Sequence, residues 1–270
     1  MCIIVAKPAG IAMPNDSIIE NCFWGNPDGA GYMVANGKTV TIRKGFMQLD
    51  DLYQALAAEG DLTEYSVVMH FRIKTHGKVQ PSCCHPFPVT SDHSRLSATY
   101  ETDRIGVAHN GIIQSMTSKT SEGTSDTMAY IAEVIAPMRR LSEDFMHNSN
   151  ALDIFEATVG SRLCFLDNSG DIVTIGEFIN DGGILYSNTS YTRNISNWNS
   201  YGDIWRGGYD SFLWNDLDDD ELMDNAVESL PYLVCEDCPN KYACAYGLPE
   251  CMSYKEASQT VDELVVEWGW

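Results

Sequence analysis

Met1-Cys2-Ile3-Ile4-Val5-Ala6-Lys7-Pro8 opens the chain, and the run Cys2–Ala6 reads as a short buried strand because its residues are apolar and partly β-branched. The small side chain at position 2 predicts removal of Met1. The strand would then begin on a residue that carries both a thiol and a free α-amine. A thiol is a weak nucleophile until it loses its proton. An α-amine, with an unperturbed pKa of about 8, can take that proton from its own side chain.

Working outward, Ala30–Ala35 and Thr39–Lys44 flank Asn36-Gly37, the strongest short hairpin signal. Leu49, Leu52, Tyr53 and Leu56 recur at helical spacing and predict a helix over Leu49–Ala58. Ser66–Phe71 and Ile105–Ala108 read as further strands. Ser125-Asp126-Thr127 stands before Met128, Ile131, Ala132 and Ile135, which predicts a capped helix ending near Pro137. Arg162–Leu166 and Asp171–Phe178 form a second hairpin about Asn168-Ser169-Gly170, and Ile184–Ser187 adds one more strand. The fold class is therefore α+β with several antiparallel hairpins. A domain boundary is expected near residue 190, separating residues 2–190 from an extension over 191–270.

The composition bounds the function. Of 270 residues 44% are hydrophobic, enough for a substantial core, and no apolar run approaches the ~20 residues of a membrane span. The N-terminus lacks a basic lead-in and a full apolar stretch, so no secretory leader is expected and a cytoplasmic location is. A net charge of -21 argues against nucleic acid and anionic membranes as partners. Nine cysteines, an odd number, fit reduced thiols.

The extension differs in character. Residues 189–215 are rich in Asn, Ser, Gly, Tyr and Trp, and Asp216–Glu228 holds seven acids without Lys or Arg. Cys235, Cys238, Cys244 and Cys251 follow. A Cys-x2-Cys pair with two further cysteines suits a structural zinc site of four thiolates, with an iron–sulfur cluster or unligated thiols as alternatives. Cys83, Cys84, Cys22 and Cys164 read as packing residues.

Five polar blocks punctuate the first part of the chain: Asn26-Pro27-Asp28-Gly29-Ala30-Gly31, His70-Phe71-Arg72-Ile73-Lys74-Thr75-His76-Gly77, Cys84-His85-Pro86-Phe87, Ala108-His109-Asn110-Gly111-Ile112-Ile113 and Thr124-Ser125-Asp126-Thr127. Taken singly, each has a plain structural reading as a turn or a core histidine. In this order and spacing they resemble the glutaminase domain of class-II glutamine amidotransferases, in the N-terminal-nucleophile hydrolase superfamily, over roughly residues 2–190. The Asn-Pro-Asp-Gly-x-Gly and Cys-His-Pro-Phe forms are similar to the small stand-alone branch of that family.

The resemblance implies a four-layer αββα sandwich of two antiparallel sheets. It implies that Cys2 attacks the side-chain amide of glutamine or a γ-glutamyl amide, with no cofactor in catalysis. Asn110 (side chain) and Gly111 (backbone N–H) would form the oxyanion hole. Arg72 would hold the substrate α-carboxylate, Asp126 its α-ammonium, and Thr75 and His76 would line the pocket. Two positions depart from the family pattern: Ile3 stands where Gly usually follows the nucleophile, and Ile73 where Trp often follows the arginine. Neither supplies a reacting group, so both are read as changes in pocket shape.

Residues 191–270 carry no phosphate loop or nucleotide signature, so ammonia would pass to a separate synthetase or to solvent. Two other readings are a catalytically silent glutamine-binding protein and an N-terminal-nucleophile hydrolase for a different amide. The first predicts loss of the nucleophile or oxyanion residues, which are present. Arg72 and Asp126 favour an amino-acid substrate over the second.

Overall fold

The computed structural model describes residues 2–74, 79–121 and 123–192. The expected boundary lies near the end of these residues, and the extension from residue 193 onward lies outside them.

Among the described residues, eleven strands build two sheets. The larger has seven strands in the order β10 (Ile179–Asp181), β11 (Ile184–Tyr186), β1 (Ile3–Lys7), β4 (Val67–Phe71), β2 (Ala30–Ala35), β3 (Val40–Phe46) and β6 (Tyr100–Asp103). The smaller runs β5 (Phe87–Pro88), β7 (Ile105–Asn110), β8 (Arg162–Asp167) and β9 (Ile172–Ile175). Every pair in both sheets is antiparallel. The helices are α1 (Asp16–Trp24), α2 (Leu49–Glu59), α3 (His93–Ser97), α4 (Asp126–Tyr130), α5 (Ala136–Leu141) and α6 (Ser149–Val159).

Side-chain alternation along the strands explains the layering. Ile3 and Val5 of β1, Tyr32 and Val34 of β2, and Val67, Met69 and Phe71 of β4 face Ile19 and Phe23 of α1 and Leu52 and Leu56 of α2. The residues between them turn the other way. Ile4, Ala6, Met33, Val40, Ile42 and Val68 meet Ala108, Cys164 and Leu166 of the smaller sheet. The outer face of that sheet, with Val107, Leu163 and Phe165, packs on Met128, Phe145 and Phe155. Every residue of β1 is buried because both its faces are covered, which accounts for the apolar run Ile3–Ala6; Lys7 at its end donates to the Leu62, Thr63 and Tyr65 carbonyls. The architecture is α+β with two antiparallel sheets and covering helices, compatible with a sandwich. Among the described residues no helix is long and apolar enough to cross a membrane.

Local chemistry sets the helix starts. Asn15, Ser125 and Asn148 each accept a backbone N–H, from Ile18, Met128 and Ala151 respectively. The helix expected to stop near Pro137 continues to Leu141. A π-helical turn, Ile131–Ile135, precedes the proline and puts it in the first turn of α5, where a missing N–H is tolerated. The strand expected over Asp171–Phe178 is shorter, Ile172–Ile175 in the smaller sheet. The chain turns at Gly176 with φ +78°, and a further strand, β10, begins past the expected end and joins the larger sheet.

Candidate active site

The inner face of the larger sheet changes character along its strands. One cross-strand row consists of Ile42, Met33, Val68, Ala6 and Leu185. The next row, two residues along, consists of Lys44, Gly31, His70 and Ile4. One residue beyond the last β1–β4 pair, Ile3 opposite Phe71, stand Cys2 and Arg72. The polar residues are gathered where β1 begins and β4 ends.

Cys2 is half-buried. Its thiol donates to the Ile73 carbonyl at 3.3 Å, and the Ile73 N–H points back at the sulfur from 3.4 Å. Burial pushes the thiol pKa up, while the Ile73 backbone and the Arg72 guanidinium pull it down by less. The Asn188 side chain donates to the Cys2 carbonyl at 2.7 Å.

Arg72 is 8% exposed and its Nη1 has no hydrogen-bond partner. Its backbone is fixed by paired bonds of 2.9 Å with Gly29 and Asp28, which gives the turn-rich Asn-Pro-Asp-Gly block a structural task. A Cβ on Gly31 would strike the His85 carbonyl, so glycine there lets the His85 segment cross the sheet.

Asn110 closes β7 on the face that looks toward the larger sheet, 2% exposed. Its amide nitrogen donates to Ser187 Oγ at 2.8 Å, and that oxygen also accepts the Ile4 N–H at 2.9 Å. Gly111 follows with φ +142°, and a Cβ there would strike Ser161. His109 points to the opposite face and contacts Thr127 at 2.8 Å and Ser161 at 2.7 Å. It thereby holds the Gly111 turn against the start of α4. Asp126, the first residue of α4, accepts the Ile113 N–H at 2.7 Å and the Thr127 N–H at 2.8 Å. Its carboxylate is thus tied to the loop that follows Asn110.

Three buried histidines surround this end of the layer. The rings of His70 and His85 lie 4.3 Å apart, and none of their four nitrogens has a hydrogen-bond partner. Burial holds His70 down at about 3, and the nearby His109 and Arg72 charges add to the effect. Burial, with His70, His109 and the cations Arg72 and Lys44 beside it, holds His85 well below the ordinary range. Burial also lowers His109 to about 4, with Asp126 opposing. All three are neutral at pH 7. Lys44 donates to the Ser82 and Leu96 carbonyls, lies 3.7 Å above the Phe87 ring, and is lowered by burial to about 7.

The expected residues thus form two groups. Cys2 and Arg72 flank the paired ends of adjacent strands β1 and β4 of the larger sheet; Asn110, Gly111 and Asp126 lie together at the end of β7 and the start of α4. Ser187, just past β11, bridges them. Thr75 and His76 lie outside the described residues, as do Cys235, Cys238, Cys244 and Cys251. Cys22, Cys83, Cys84 and Cys164 are buried, as expected of packing residues. Sequence reasoning placed Ser187 in a strand but gave it no role, and it passed over Asn188.

Two cavities, of about 250 and 410 Å³, flank Arg139, and none of the five described site residues lines either. His147, Asp167 and Asp171 hold ligand-type atoms within 4.8 Å of one another. Asp167 Oδ1 already accepts the Ser169, Gly170 and Asp171 N–H groups, so the β8–β9 turn accounts for the two carboxylates, and His147 reaches Asp171 at 3.7 Å from a separate turn. No protein-family model matches the chain, and no curated protein matches it.

Proposed function

We propose that this chain is a glutaminase of the class-II glutamine amidotransferase type, acting on glutamine or a γ-glutamyl amide in the cytoplasm. On this reading the two sheets and their helices form the αββα sandwich of the N-terminal-nucleophile hydrolases. The observation that carries the reading is the convergence of Cys2, Arg72 and Asn110 on one polar end of the inter-sheet layer, with Asn110 anchored to the strand that bears the nucleophile.

Burial keeps the Cys2 thiol protonated at neutral pH, so attack needs a base. Removal of Met1 supplies one in the α-amine of Cys2. The amine takes the thiol proton as sulfur bonds to the amide carbon. The carbonyl electron pair moves onto oxygen, where the Asn110 amide and the Gly111 N–H receive it. Collapse of this intermediate breaks the C–N bond, and the α-ammonium protonates the departing ammonia. Water then attacks the γ-glutamyl thioester with the same amine as base, releasing the acid and the thiol. Arg72, with a free Nη1, binds the substrate α-carboxylate, Asp126 its α-ammonium, and Thr75 and His76 line the pocket. Ammonia passes to a separate synthetase or to solvent.

The test joins intact mass with a glutamine-analogue diazoketone. The expected result is a chain lacking Met1 that gains one adduct, located on Cys2 by peptide mapping. Retained Met1 with no adduct sinks the proposal.

A further inference from the structure

The dipeptide Ser187-Asn188 touches both halves of the site. Ser187 is 2% exposed and pairs with β1 in an unusual way. Its N–H donates to the Ile4 carbonyl at 3.0 Å, while its side-chain oxygen receives the Ile4 N–H at 2.9 Å. The same oxygen receives the Asn110 amide at 2.8 Å, so both of its acceptor positions are taken. One residue on, Asn188 Nδ2 holds the Cys2 carbonyl at 2.7 Å, and its Oδ1 accepts the Ser190 N–H at 3.0 Å.

The consequence concerns rotation. The terminal torsion of asparagine is broad and roughly two-fold, so a free Asn110 amide would sample orientations that present oxygen to a developing anion. One N–H fixed on Ser187 leaves the second N–H in a single direction. Ser187 is itself fixed to Ile4, two residues from the nucleophile. The Asn110 amide and the strand that follows the nucleophile, on different sheets, thereby share one hydroxyl.

We propose that Ser187 is a positioning residue that orients the Asn110 amide for the oxyanion, with Asn188 holding the backbone of Cys2. This rests on the glutaminase reading. Loss of one neutral hydrogen bond that acts through Asn110 predicts a fall in kcat of about tenfold for Ser187→Ala, with KM held within about twofold. Ser187→Thr, which keeps the acceptor, recovers most of the rate.

The deciding measurement is a double-mutant cycle with Asn110→Ala. In that background Ser187→Ala slows kcat by less than about twofold, because the group it positions is gone. Equal slowing in both backgrounds, or a Ser187→Ala enzyme at the wild-type rate, overturns the assignment. If Ser187→Ala does not fold, hydrogen exchange of the Asn110 side-chain amide in the wild-type chain decides: protection supports the anchor, and free exchange overturns it. A wild-type chain that neither hydrolyses glutamine nor takes up the diazoketone overturns the underlying reading, and the role of Ser187 falls with it.

Discussion

Two neighbouring rows on the inner face of the larger sheet share strands β1 to β4 yet differ in chemistry. Ile42, Met33, Val68, Ala6 and Leu185 form the first; Lys44, Gly31, His70 and Ile4 form the second, about 7 Å further along the strands. The first row packs on Ala108, Cys164 and Leu166 of the smaller sheet and holds the two sheets together. The second leaves His70 and His85 unpartnered beside Arg72. Unpaired buried polar atoms weaken a fold, each by about 1–3 kcal/mol. On the proposed reading, their concentration beside Arg72 marks the end of the layer that serves the reaction.

Acid should separate the rows most. His70 and His109 are held at about 3 and 4, and His85 lower than usual, against about 6.5 in the unfolded chain. Between those values the unfolded state binds protons that the folded state refuses. Stability is therefore complete above about pH 6.5 and is lost as pH falls toward 4, by about 1.4 kcal/mol per pH unit for each histidine and about 4 for all three. Denaturant melts at stepped pH measure the slope. A flat profile between pH 6.5 and 4.5 would show that the histidines are not buried uncharged.

Ile42→Ala tests the apolar row. Ile42 is fully buried, and truncation should lower stability by about 2–5 kcal/mol, read as a fall in urea midpoint with an unchanged m-value. On the proposed function, the folded fraction should hydrolyse glutamine at the unchanged rate. Asn110→Ala should behave in the opposite way. On the proposed mechanism kcat drops about 100- to 1000-fold, roughly 3–4 kcal/mol in the barrier, while KM barely moves. Equal loss of kcat in both variants would erase the functional distinction between the two ends.

Much of this division was legible in the residues. Asn36-Gly37 fixed the β2–β3 hairpin, and the spacing of Leu49, Leu52 and Leu56 fixed α2 to within one residue. Helices α1 and α6 carried equally local signals: Asn15 before Ile19 and Phe23, and Asn148 before Ala151, Phe155 and Val159. Reading those caps would have found both. The change of sheet at Gly176 was not legible, because strand periodicity is blind to which sheet a strand joins. Ser187 was hidden for a related reason. A serine at a strand end has no signature until pairing brings Ile4 and Asn110, 183 and 77 residues away, to its hydroxyl.

His70→Leu gives the smallest effect, and its value lies in the sign. At Ile42 a loss of apolar volume must destabilise. At His70 an apolar residue of similar size removes two buried nitrogens that have no partner and keeps the space beside His85 filled. Replacing an unsatisfied polar group by an apolar one of the same shape is neutral or stabilising. His70→Leu should therefore raise stability at pH 7 by about 1–2 kcal/mol, measured as an increase in urea midpoint. It should also flatten the acid profile by about one third, since one of three refused protons is gone. A loss of stability at pH 7 would mean that the imidazole holds a partner essential to the fold. The contrast between the rows would then be one of packing alone.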